Sequence, residues 1–412
     1  MKHLIIGAGA AAISAVRTIL KEKADDSVVI VSEDNEVYSR CMLHKFISGE
    51  RDAESINFIN DEVLKSNRVQ WIKSKTITRL DGTTKTVYAG DEKIASGDTV
   101  LIATGSNSVI PPIGELKTAK NAFGLRHLSD ARLIAEHASK AVKIAVIGAG
   151  LVGLDAVYGI LESSSGAGKE ITVIEMAPSV LAINLDAHAS EAYQRLFEKR
   201  GVNFHLARKM MNTRSDGGNI TALELDSGAI IPCDMVIVAV GVRPATALLE
   251  GSGVELTERK AVKVDDCLAT NISGIYAAGD AAGLSGIWPN AQKQGEMAAY
   301  NMTGTKWAYD DRFALKNTVN FFNLPSLSLG AINPLEGDKV LVKEDRNNYR
   351  KLILRGGIPV GIILQGEIAG SGFWLHLIKN RIRIDNLGKS PWKVSYADFY
   401  GTEANGEYKW VV

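Results

Sequence analysis

The sequence predicts an α/β protein with two parallel-sheet domains, one inserted in the other, and a small α+β domain at the C-terminus. Two glycine-rich turns, each between an apolar β-type run and an apolar helical run, indicate the two parallel-sheet domains. From about Asn317 the pattern changes to alternating apolar strands and then to a helical stretch near Phe373. We therefore expect domains at residues 1–110 with 246–315, at 111–245 and at 316–412.

The first glycine-rich turn lies in the segment LIIGAGAAA, residues 4–12. Gly7 permits a tight turn, Gly9 lets backbone N–H groups approach a pyrophosphate, and the small Ala12 lets helix and strand pack closely. A β-branched run then leads to Glu33, at the distance where a carboxylate accepts hydrogen bonds from an adenosine ribose. The pattern predicts a dinucleotide site, although such turns also occur for packing alone and an acid also opens polar loops.

The second glycine-rich turn repeats this arrangement about 140 residues later, in the segment KIAVIGAGLVG at 143–153. Gly148, Gly150 and Gly153 complete a Gly-x-Gly-x-x-Gly pattern, and a second β-branched strand ends in Glu175. Two copies in register, each with its own acid, predict two Rossmann-like dinucleotide-binding domains rather than one.

Three further apolar runs end in glycine turns. The turns follow runs 99–103, 235–240 and 275–278, and their residues are Thr104 with Gly105, Gly241, and Gly279 with Asp280. Two prolines at 111–112 break the chain between the first and second units, and Gly241 begins the expected return crossing. The second unit is therefore predicted to be inserted in the first.

Composition excludes several classes of function. The 47 basic and 47 acidic side chains give a net charge of zero, which argues against a general nucleic-acid or anionic-membrane surface. Cys41, Cys233 and Cys267 lie far apart and predict neither a disulfide framework nor a metal site. No apolar run reaches the roughly 18 residues of a membrane span. The N-terminal segment also resembles a signal peptide, but its small residues are the fingerprint itself, so we expect a cytoplasmic protein.

The order of these motifs resembles that of the FAD/NAD(P)-dependent pyridine nucleotide-disulfide oxidoreductase superfamily, over roughly residues 1–380. In this glutathione-reductase-like superfamily the first domain binds FAD and the inserted domain binds NAD(P)H. The resemblance implies FAD contacts at Gly7, Gly9, Ala12, Glu33, Thr104, Gly105, Gly279 and Asp280, and NAD contacts at Gly148, Gly150, Leu151, Val152, Gly153, Glu175 and Gly241. Glu175 has no arginine beside it, which favours NADH over NADPH because a carboxylate repels a 2′-phosphate.

Within the superfamily, the chain resembles the branch of NADH:rubredoxin reductases, ferredoxin reductases and the reductase part of nitrite reductase. Tyr38, Arg40 and Lys45 match a Tyr-x-Arg-x-x-Leu-x-Lys segment beside the flavin, and Trp288 matches a tryptophan at the flavin edge. Asp155 stands at a position where many members carry a glutamate that pairs with the lysine matched by Lys45. The aspartate side chain is one carbon shorter than glutamate. The resemblance implies that Arg40, Lys45 and Trp288 bind FAD, and that Lys45, Asp155 and Trp288 take part in catalysis.

A second resemblance starts at Cys41. Residues 41–49 are similar to the segment around the single redox cysteine of coenzyme A disulfide reductases and related NADH oxidases and peroxidases, with two departures. A catalytic thiolate needs a depressed pKa, and Arg40, His44 or Lys45 is close enough in sequence to supply it. The alternative interpretation is a structural cysteine buried beside the flavin.

Together these features predict an FAD-dependent NADH:electron-carrier oxidoreductase that exchanges single electrons with an iron–sulfur (ferredoxin-like) or rubredoxin partner. The sequence carries no cluster ligands, so the iron centre is expected on a free carrier or on another subunit of a larger metalloenzyme complex, and a homodimer is left open. Two alternatives remain. One is a Cys41-dependent coenzyme A disulfide or polysulfide reductase or NADH oxidase/peroxidase, and the other is a flavoprotein redox sensor or assembly subunit.

Overall fold

A parallel five-stranded sheet forms the centre of the first domain in the computed structural model, which describes residues 1–59, 62–311, 313 and 316–410. Its strands are β1 (Lys2–Ile6), β2 (Ser27–Val31), β3 (Val69–Ile72), β7 (Thr99–Ile102) and β18 (Ile275–Ala277). Their order across the sheet is β18-β7-β1-β2-β3. The last strand comes from a part of the chain far beyond the others, so this domain is discontinuous in sequence.

Helices cover one face of this sheet, and an antiparallel sheet of β4 (Arg79–Asp81), β5 (Thr86–Ala89) and β6 (Glu92–Ser96) covers the other. Side chains alternate along β1, so Ile5 packs toward helices α1 (Ala10–Glu22) and α7 (Trp288–Met302), whereas Leu4 and Ile6 pack toward β4–β6. Burial on both faces explains why these strands are apolar throughout.

The second domain repeats this three-layer arrangement. Its parallel sheet contains β9 (Ala122–Gly124), β10 (Lys143–Ile147), β11 (Glu170–Ile174), β12 (Val202–His205) and β16 (Met235–Val238), in the order β12-β11-β10-β16-β9. One face packs on α4 (Leu128–Lys140), α5 (Leu151–Leu161) and α6 (Ala187–Glu198). The other face packs on the antiparallel strands β13 (Met210–Asp216), β14 (Asn219–Leu225) and β15 (Ile230–Pro232).

Two crossings of the chain join these domains. The outgoing strand β8 (Ser106–Ser108) pairs antiparallel with the returning strand β17 (Val242–Pro244), and the Thr104 hydroxyl donates a hydrogen bond of 2.8 Å to the Ala245 carbonyl. The predicted fold class, with one Rossmann-like domain inserted in the other, is confirmed, whereas the exact domain limits stay a prediction.

The short helices α2 (Leu43–Ile47) and α3 (Glu62–Lys65) belong to the first part of the chain. Over the described ranges, no helix is long and apolar enough to cross a membrane.

The C-terminal domain is a five-stranded antiparallel sheet with one helix, α8 (Ser371–Lys379). Its strands are β19 (Lys316–Phe321), β20 (Leu324–Gly330), β21 (Lys339–Glu344), β22 (Tyr349–Arg355) and β23 (Ile358–Gln365), in the order β19-β20-β23-β22-β21. The tail ends in a hairpin of β24 (Tyr400–Thr402) and β25 (Tyr408–Trp410) and folds back on α8. The Trp410 ring stacks on Phe399 at 5.2 Å and contacts His376 edge-on at 4.9 Å, so the aromatic tail packs on its own domain.

A buried ion pair joins the C-terminal domain to the second domain. Asp186 caps the N-terminus of α6 by accepting from the Ala189 N–H at 3.1 Å, and it also accepts from the Tyr349 hydroxyl at 2.7 Å and the Lys351 ammonium at 2.9 Å. Burial favours the neutral form of this acid, but these donors outweigh burial and hold the pKa of Asp186 below its usual range. The charge of Asp186 therefore depends on a residue of another domain.

Replacing Lys351 with methionine is expected to lower the free energy of unfolding by about 3–5 kcal/mol, because Asp186 then stays buried without its cation. A urea titration followed by circular dichroism measures the loss. The control is Arg350→Met on the neighbouring position of β22, whose exposed pair with Glu367 is expected to contribute about 0–1 kcal/mol. Equal losses in the two variants would contradict a special role for the buried pair.

Candidate functional site

The first glycine of each fingerprint has the same constrained geometry. Gly7 has a φ of +111° and Gly148 a φ of +105°. A Cβ atom on Gly7 would lie 2.3 Å from the Ala103 carbonyl oxygen, and one on Gly148 would lie 2.4 Å from that of Ala239. Both positions require glycine, because of the backbone conformation and because the end of the neighbouring strand lies against the turn.

The second fingerprint position faces open space for a ligand, whereas the third packs against the protein. Gly9 and Gly150 are the N-caps of α1 and α5, and a Cβ on either would have no protein atom within 4 Å. Helix N–H groups face this open space, which suits a pyrophosphate. At the third position a Cβ on Gly153 would lie 1.9 Å from the Gly148 carbonyl oxygen, whereas the first domain accommodates Ala12, fully buried.

The two acids follow the second strand of each sheet. Glu175 accepts hydrogen bonds of 2.7 Å from the backbone N–H groups of both Ala149 and Ala177, so its carboxylate is held at the glycine turn. Glu33 is exposed two residues beyond the end of β2. Three more residues predicted for the second site lie at the same carboxyl end of its parallel sheet: Leu151, Val152 and Gly241.

The turn at Gly9 opens on a cleft in the first domain. The cleft walls come from parts of the chain that are far apart in sequence, and they include Gly9, Arg40, Cys41, Gly105, Gly279, Asp280 and Trp288. The structure therefore brings most of the residues predicted for FAD to one cleft, and the glycine turn with its open space fits a dinucleotide pyrophosphate there.

Arg126 is a cleft residue that sequence reasoning missed. Its guanidinium donates to the Asp280 carboxylate, and the same carboxylate accepts from the Ser106 hydroxyl at 2.7 Å. Arg126 enters the cleft from the segment just before α4, in the second domain, where its backbone N–H is held by Asp130 at 2.8 Å. The Arg126 backbone carbonyl in turn accepts from Arg40 at 2.9 Å. A single arginine in a loop carries no distinctive sequence pattern, so only tertiary contacts reveal this role.

The expected pair of Lys45 and Asp155 is replaced by two other contacts. Lys45 forms an ion pair with Glu50, and its Nζ atom lies 5.3 Å from the centre of the Tyr158 ring. Asp155 faces His44 instead, with 3.6 Å between Oδ1 and Nδ1. The shorter reach of aspartate put this pair in doubt from the sequence alone, and in the structure the adjacent residues Lys45 and His44 also point about 100° apart on the same helix.

The Cys41 thiol opens onto the cleft, but it is not activated. The surrounding protein atoms reduce its hydration and raise the pKa of Cys41, and Asp155 raises it further whenever its carboxyl is ionised, while Arg126 opposes the change. Burial together with the charge of Lys45 lowers the pKa of His44 to about 4, so His44 is neutral at neutral pH and supplies no positive charge. Cys41 is therefore protonated under ordinary conditions.

Trp288 is the first residue of α7, where Pro289 stands in the first helical turn. Trp288 lines the cleft and also contacts Phe58 edge-on, with ring centres 4.7 Å apart and planes at 86°. Phe58 follows α2 in the chain, so two separate segments form this aromatic contact.

Among the residues that the structure describes, no group of three or more His, Cys, Asp or Glu side chains is arranged to hold a metal ion.

Two dinucleotide folds and a cleft at the first glycine turn define an FAD- and NAD-dependent oxidoreductase. Residues 1–295 match the pyridine nucleotide-disulphide oxidoreductase family, and residues 316–382 match the rubredoxin NAD+ reductase C-terminal domain. The chain therefore belongs to the pyridine nucleotide-disulphide oxidoreductase family. The prediction from motif order is confirmed, both for the superfamily and for the branch.

Individual relatives extend this comparison. The chain is 29% identical over 395 residues to a nitrite reductase [NAD(P)H] of Bacillus subtilis, of which it spans 48%, with 94% of this chain covered. It is 27% identical to the NADH-dependent phenylglyoxylate dehydrogenase subunit epsilon of Aromatoleum evansii, covering 94% of this chain and 93% of that subunit. The crystal structure of NADH:rubredoxin oxidoreductase from Clostridium acetobutylicum has the same fold, with a TM-score of 0.76, 23% identity and coverage of 94% and 97%.

The glycine geometry predicts opposite outcomes for two neighbouring substitutions. Gly9→Val is expected to fold normally but to bind FAD at least tenfold more weakly, because its side chain enters open ligand space. Gly7→Ala is expected to destabilise the fold by about 1–3 kcal/mol or more, because of positive φ and backbone overlap. Thermal unfolding and flavin fluorescence titration measure the two effects. Normal FAD affinity in folded Gly9→Val would contradict a pyrophosphate site at this turn.

Proposed function

We propose that this chain is an FAD-dependent NADH:electron-carrier oxidoreductase whose partner carries an iron–sulfur cluster or a rubredoxin-type iron. The observation that carries the proposal is the C-terminal match to the rubredoxin NAD+ reductase domain, joined to a complete pair of dinucleotide folds. When bound, FAD supplies the link between the two-electron chemistry of NADH and the one-electron chemistry of an iron centre. Electron flow from NADH to the carrier and the reverse are both compatible with this arrangement.

The partner is proposed to lie outside these 412 residues. The matched nitrite reductase is about twice as long as the region shared with this chain, and the matched phenylglyoxylate dehydrogenase protein is a subunit. These relatives support a carrier site on another subunit or another region of a larger enzyme, as well as a free carrier. A homodimer stays a prediction.

The residues proposed to hold FAD act through backbone donors and charge. The N-terminus of α1 at Gly9 would bind the pyrophosphate, and Glu33 would accept hydrogen bonds from the adenosine ribose. Asp280, held by Arg126 and Ser106, would bond the hydroxyl-bearing chain of the flavin. Thr104, Gly105, Gly279, Arg40 and Lys45 complete this proposed set.

The residues proposed to hold NADH repeat this logic in the second domain. The N-terminus of α5 at Gly150 would bind the pyrophosphate, with Gly148, Leu151, Val152, Gly153 and Gly241 around it. Glu175 would bind the adenosine ribose with a carboxylate already fixed by two backbone N–H groups. A fixed negative charge next to the ribose repels a 2′-phosphate, and we therefore propose a preference for NADH over NADPH.

Trp288 is proposed to shape the route by which single electrons leave. It lines the cleft and contacts Phe58 of the segment after α2, so that two aromatic rings in contact connect the cleft to that segment. Lys45, paired with Glu50, contributes positive charge close to Tyr158. These residues position and separate the reactants, since the cofactors carry the chemistry.

A thiol-dependent reductase or oxidase is the second candidate, and the exposure of Cys41 in the cleft supports it. The raised pKa of the Cys41 thiol argues against it, because the thiolate is the reactive form. A flavoprotein sensor or assembly subunit is the third candidate. The three candidates differ in which acceptor reoxidises the NADH-reduced protein.

The decisive experiment is NADH oxidation by the FAD-loaded protein with rubredoxin, ferredoxin, coenzyme A disulfide, oxygen and nitrite as separate acceptors. Rubredoxin or ferredoxin is expected to react at least tenfold faster than the others. Cys41→Ser is expected to retain this rate within about threefold, as is the control Cys267→Ser, since a protonated thiol takes no part. Flavin content is measured for each variant.

Three outcomes oppose this proposal. Fastest turnover with coenzyme A disulfide, abolished by Cys41→Ser alone, would establish the thiol reductase instead. Loss of rubredoxin and ferredoxin reduction in Cys41→Ser with normal flavin content would also overturn it. Slow flavin reduction by NADH that no acceptor relieves would favour the sensor.

Coenzyme preference is tested by Glu175→Gln. Removing the negative charge is expected to raise kcat/KM for NADPH and to lower it for NADH, each about tenfold, because the 2′-phosphate is no longer repelled and a ribose acceptor is weakened. The control is Glu170→Gln at the exposed start of the same strand, which should change neither value. An unchanged NADPH/NADH ratio in Glu175→Gln would contradict the proposed ribose site.

A further inference from the structure

Helices α2 and α5 pack unusually closely where the first two domains meet. A Cβ on Gly159 of α5 would lie 2.7 Å from the His44 carbonyl oxygen and 3.1 Å from the Ile47 Cβ on α2. Asp155 lies one helical turn before Gly159 and therefore on the same face of α5. The absence of a side chain at Gly159 thus brings the Asp155 carboxyl to the side chain of His44.

His44 has a buried acceptor that needs a partner. Its Nδ1 atom is buried and makes no hydrogen bond, while its ring rests edge-on against Tyr158 at 5.9 Å. Asp155 Oδ1 lies 3.6 Å from this nitrogen, beyond the usual 2.7–3.2 Å of a hydrogen bond. A buried nitrogen without a partner costs free energy, and a hydrogen bond from the Asp155 carboxyl would recover it.

Asp155 and His44 both prefer their uncharged forms at the seam, which is the contact of α2 with α5 between the two dinucleotide domains. Asp155 is half-buried, with its side chain 30% exposed, and its reduced hydration raises the pKa of the carboxyl to about 7. Burial and the adjacent Lys45 charge lower the pKa of His44 to about 4, with Glu50 opposing. The other titratable groups at the seam are Tyr158 on α5 and Cys41 before α2, and Lys45 is already engaged by Glu50. A neutral acid beside a neutral imidazole therefore fits this environment.

We propose that Asp155 and His44 share one proton across the seam between the two dinucleotide domains, with the Asp155 carboxylic acid donating to His44 Nδ1. His44 is then a positioning residue that keeps Asp155 protonated and uncharged. On folding, the proton leaves the imidazolium and joins the carboxylate, so no proton is gained or lost. An uncharged Asp155 does not compete with Glu50 for the Lys45 ammonium, and it adds no negative charge beside Cys41. This proton site does not depend on which electron carrier the protein uses.

The proposal predicts a specific dependence of stability on pH. Between about pH 4 and 6.5, an unfolded chain carries an ionised Asp155 and a protonated His44, while the folded chain carries the reverse. The two states bind equal numbers of protons, so the pair gives no slope. With Asp155→Asn, His44 remains alone with a lowered pKa, and stability should rise with pH over this window. With His44→Phe, Asp155 remains alone with a raised pKa, and stability should fall as pH rises toward 7.

The experiment is thermal unfolding of the FAD-loaded full chain from pH 4.5 to 7 for four proteins: the unchanged chain, Asp155→Asn, His44→Phe and the double variant. Each single variant should change the unfolding equilibrium constant, relative to the unchanged chain, by up to about tenfold per pH unit, with opposite signs. The double variant should be flat. Slopes of the same sign, or none, in the single variants would overturn the proposal.

A direct measurement requires only one of the two single variants to fold. In ¹⁵N-histidine NMR spectra of the FAD-loaded chain, the signals of His44 are those absent from His44→Phe or shifted in Asp155→Asn. At pH 6 they are expected to be those of a neutral ring with Nδ1 as the acceptor. An imidazolium signal for His44 at pH 6 would overturn the proposal. Neither measurement uses an electron acceptor, so its failure is separate from failure of the proposed carrier reduction.

Discussion

Both nucleotide sites depend on the close approach of a glycine to the end of a neighbouring parallel strand. Gly7 lies against the Ala103 carbonyl, and Gly148 lies against the Ala239 carbonyl, at almost the same distance. A side chain at either glycine would displace the turn and, with it, the helix N-terminus that follows. The open space in front of the next glycine exists only while that turn stays in place, so the proposed pyrophosphate binding rests on a backbone contact rather than on a polar side chain.

The cleft of the first domain is completed by the second domain. Arg126 comes from the segment that leads into the inserted domain, and it reaches back to Asp280 at the end of β18. The β8–β17 ribbon holds the two crossings together beside this contact. Relative movement of the two domains would therefore separate a half-buried guanidinium from its carboxylate, which opposes such movement.

The C-terminal domain packs against the second domain. Its contact with the second domain centres on Asp186, whose charge is stabilised by Lys351 and Tyr349. Its tail is used to close its own core, as the stacking of Trp410 on Phe399 illustrates. The match of this domain to the rubredoxin NAD+ reductase C-terminal domain distinguishes the chain from a bare pair of dinucleotide folds.

The sequence alone determined the repeated Rossmann-like fold, the family and the glycine turns, because a tight turn against a strand end permits few residues and these recur at fixed spacing. Only the tertiary structure decided which charged groups meet. Arg126 reaches Asp280 from 154 positions away in the chain. Lys45 pairs with Glu50, whereas the neighbouring His44 faces Asp155. Local spacing cannot predict the contacts of Arg126 and His44, because they depend on how segments from different domains pack and on the direction in which each side chain leaves the backbone.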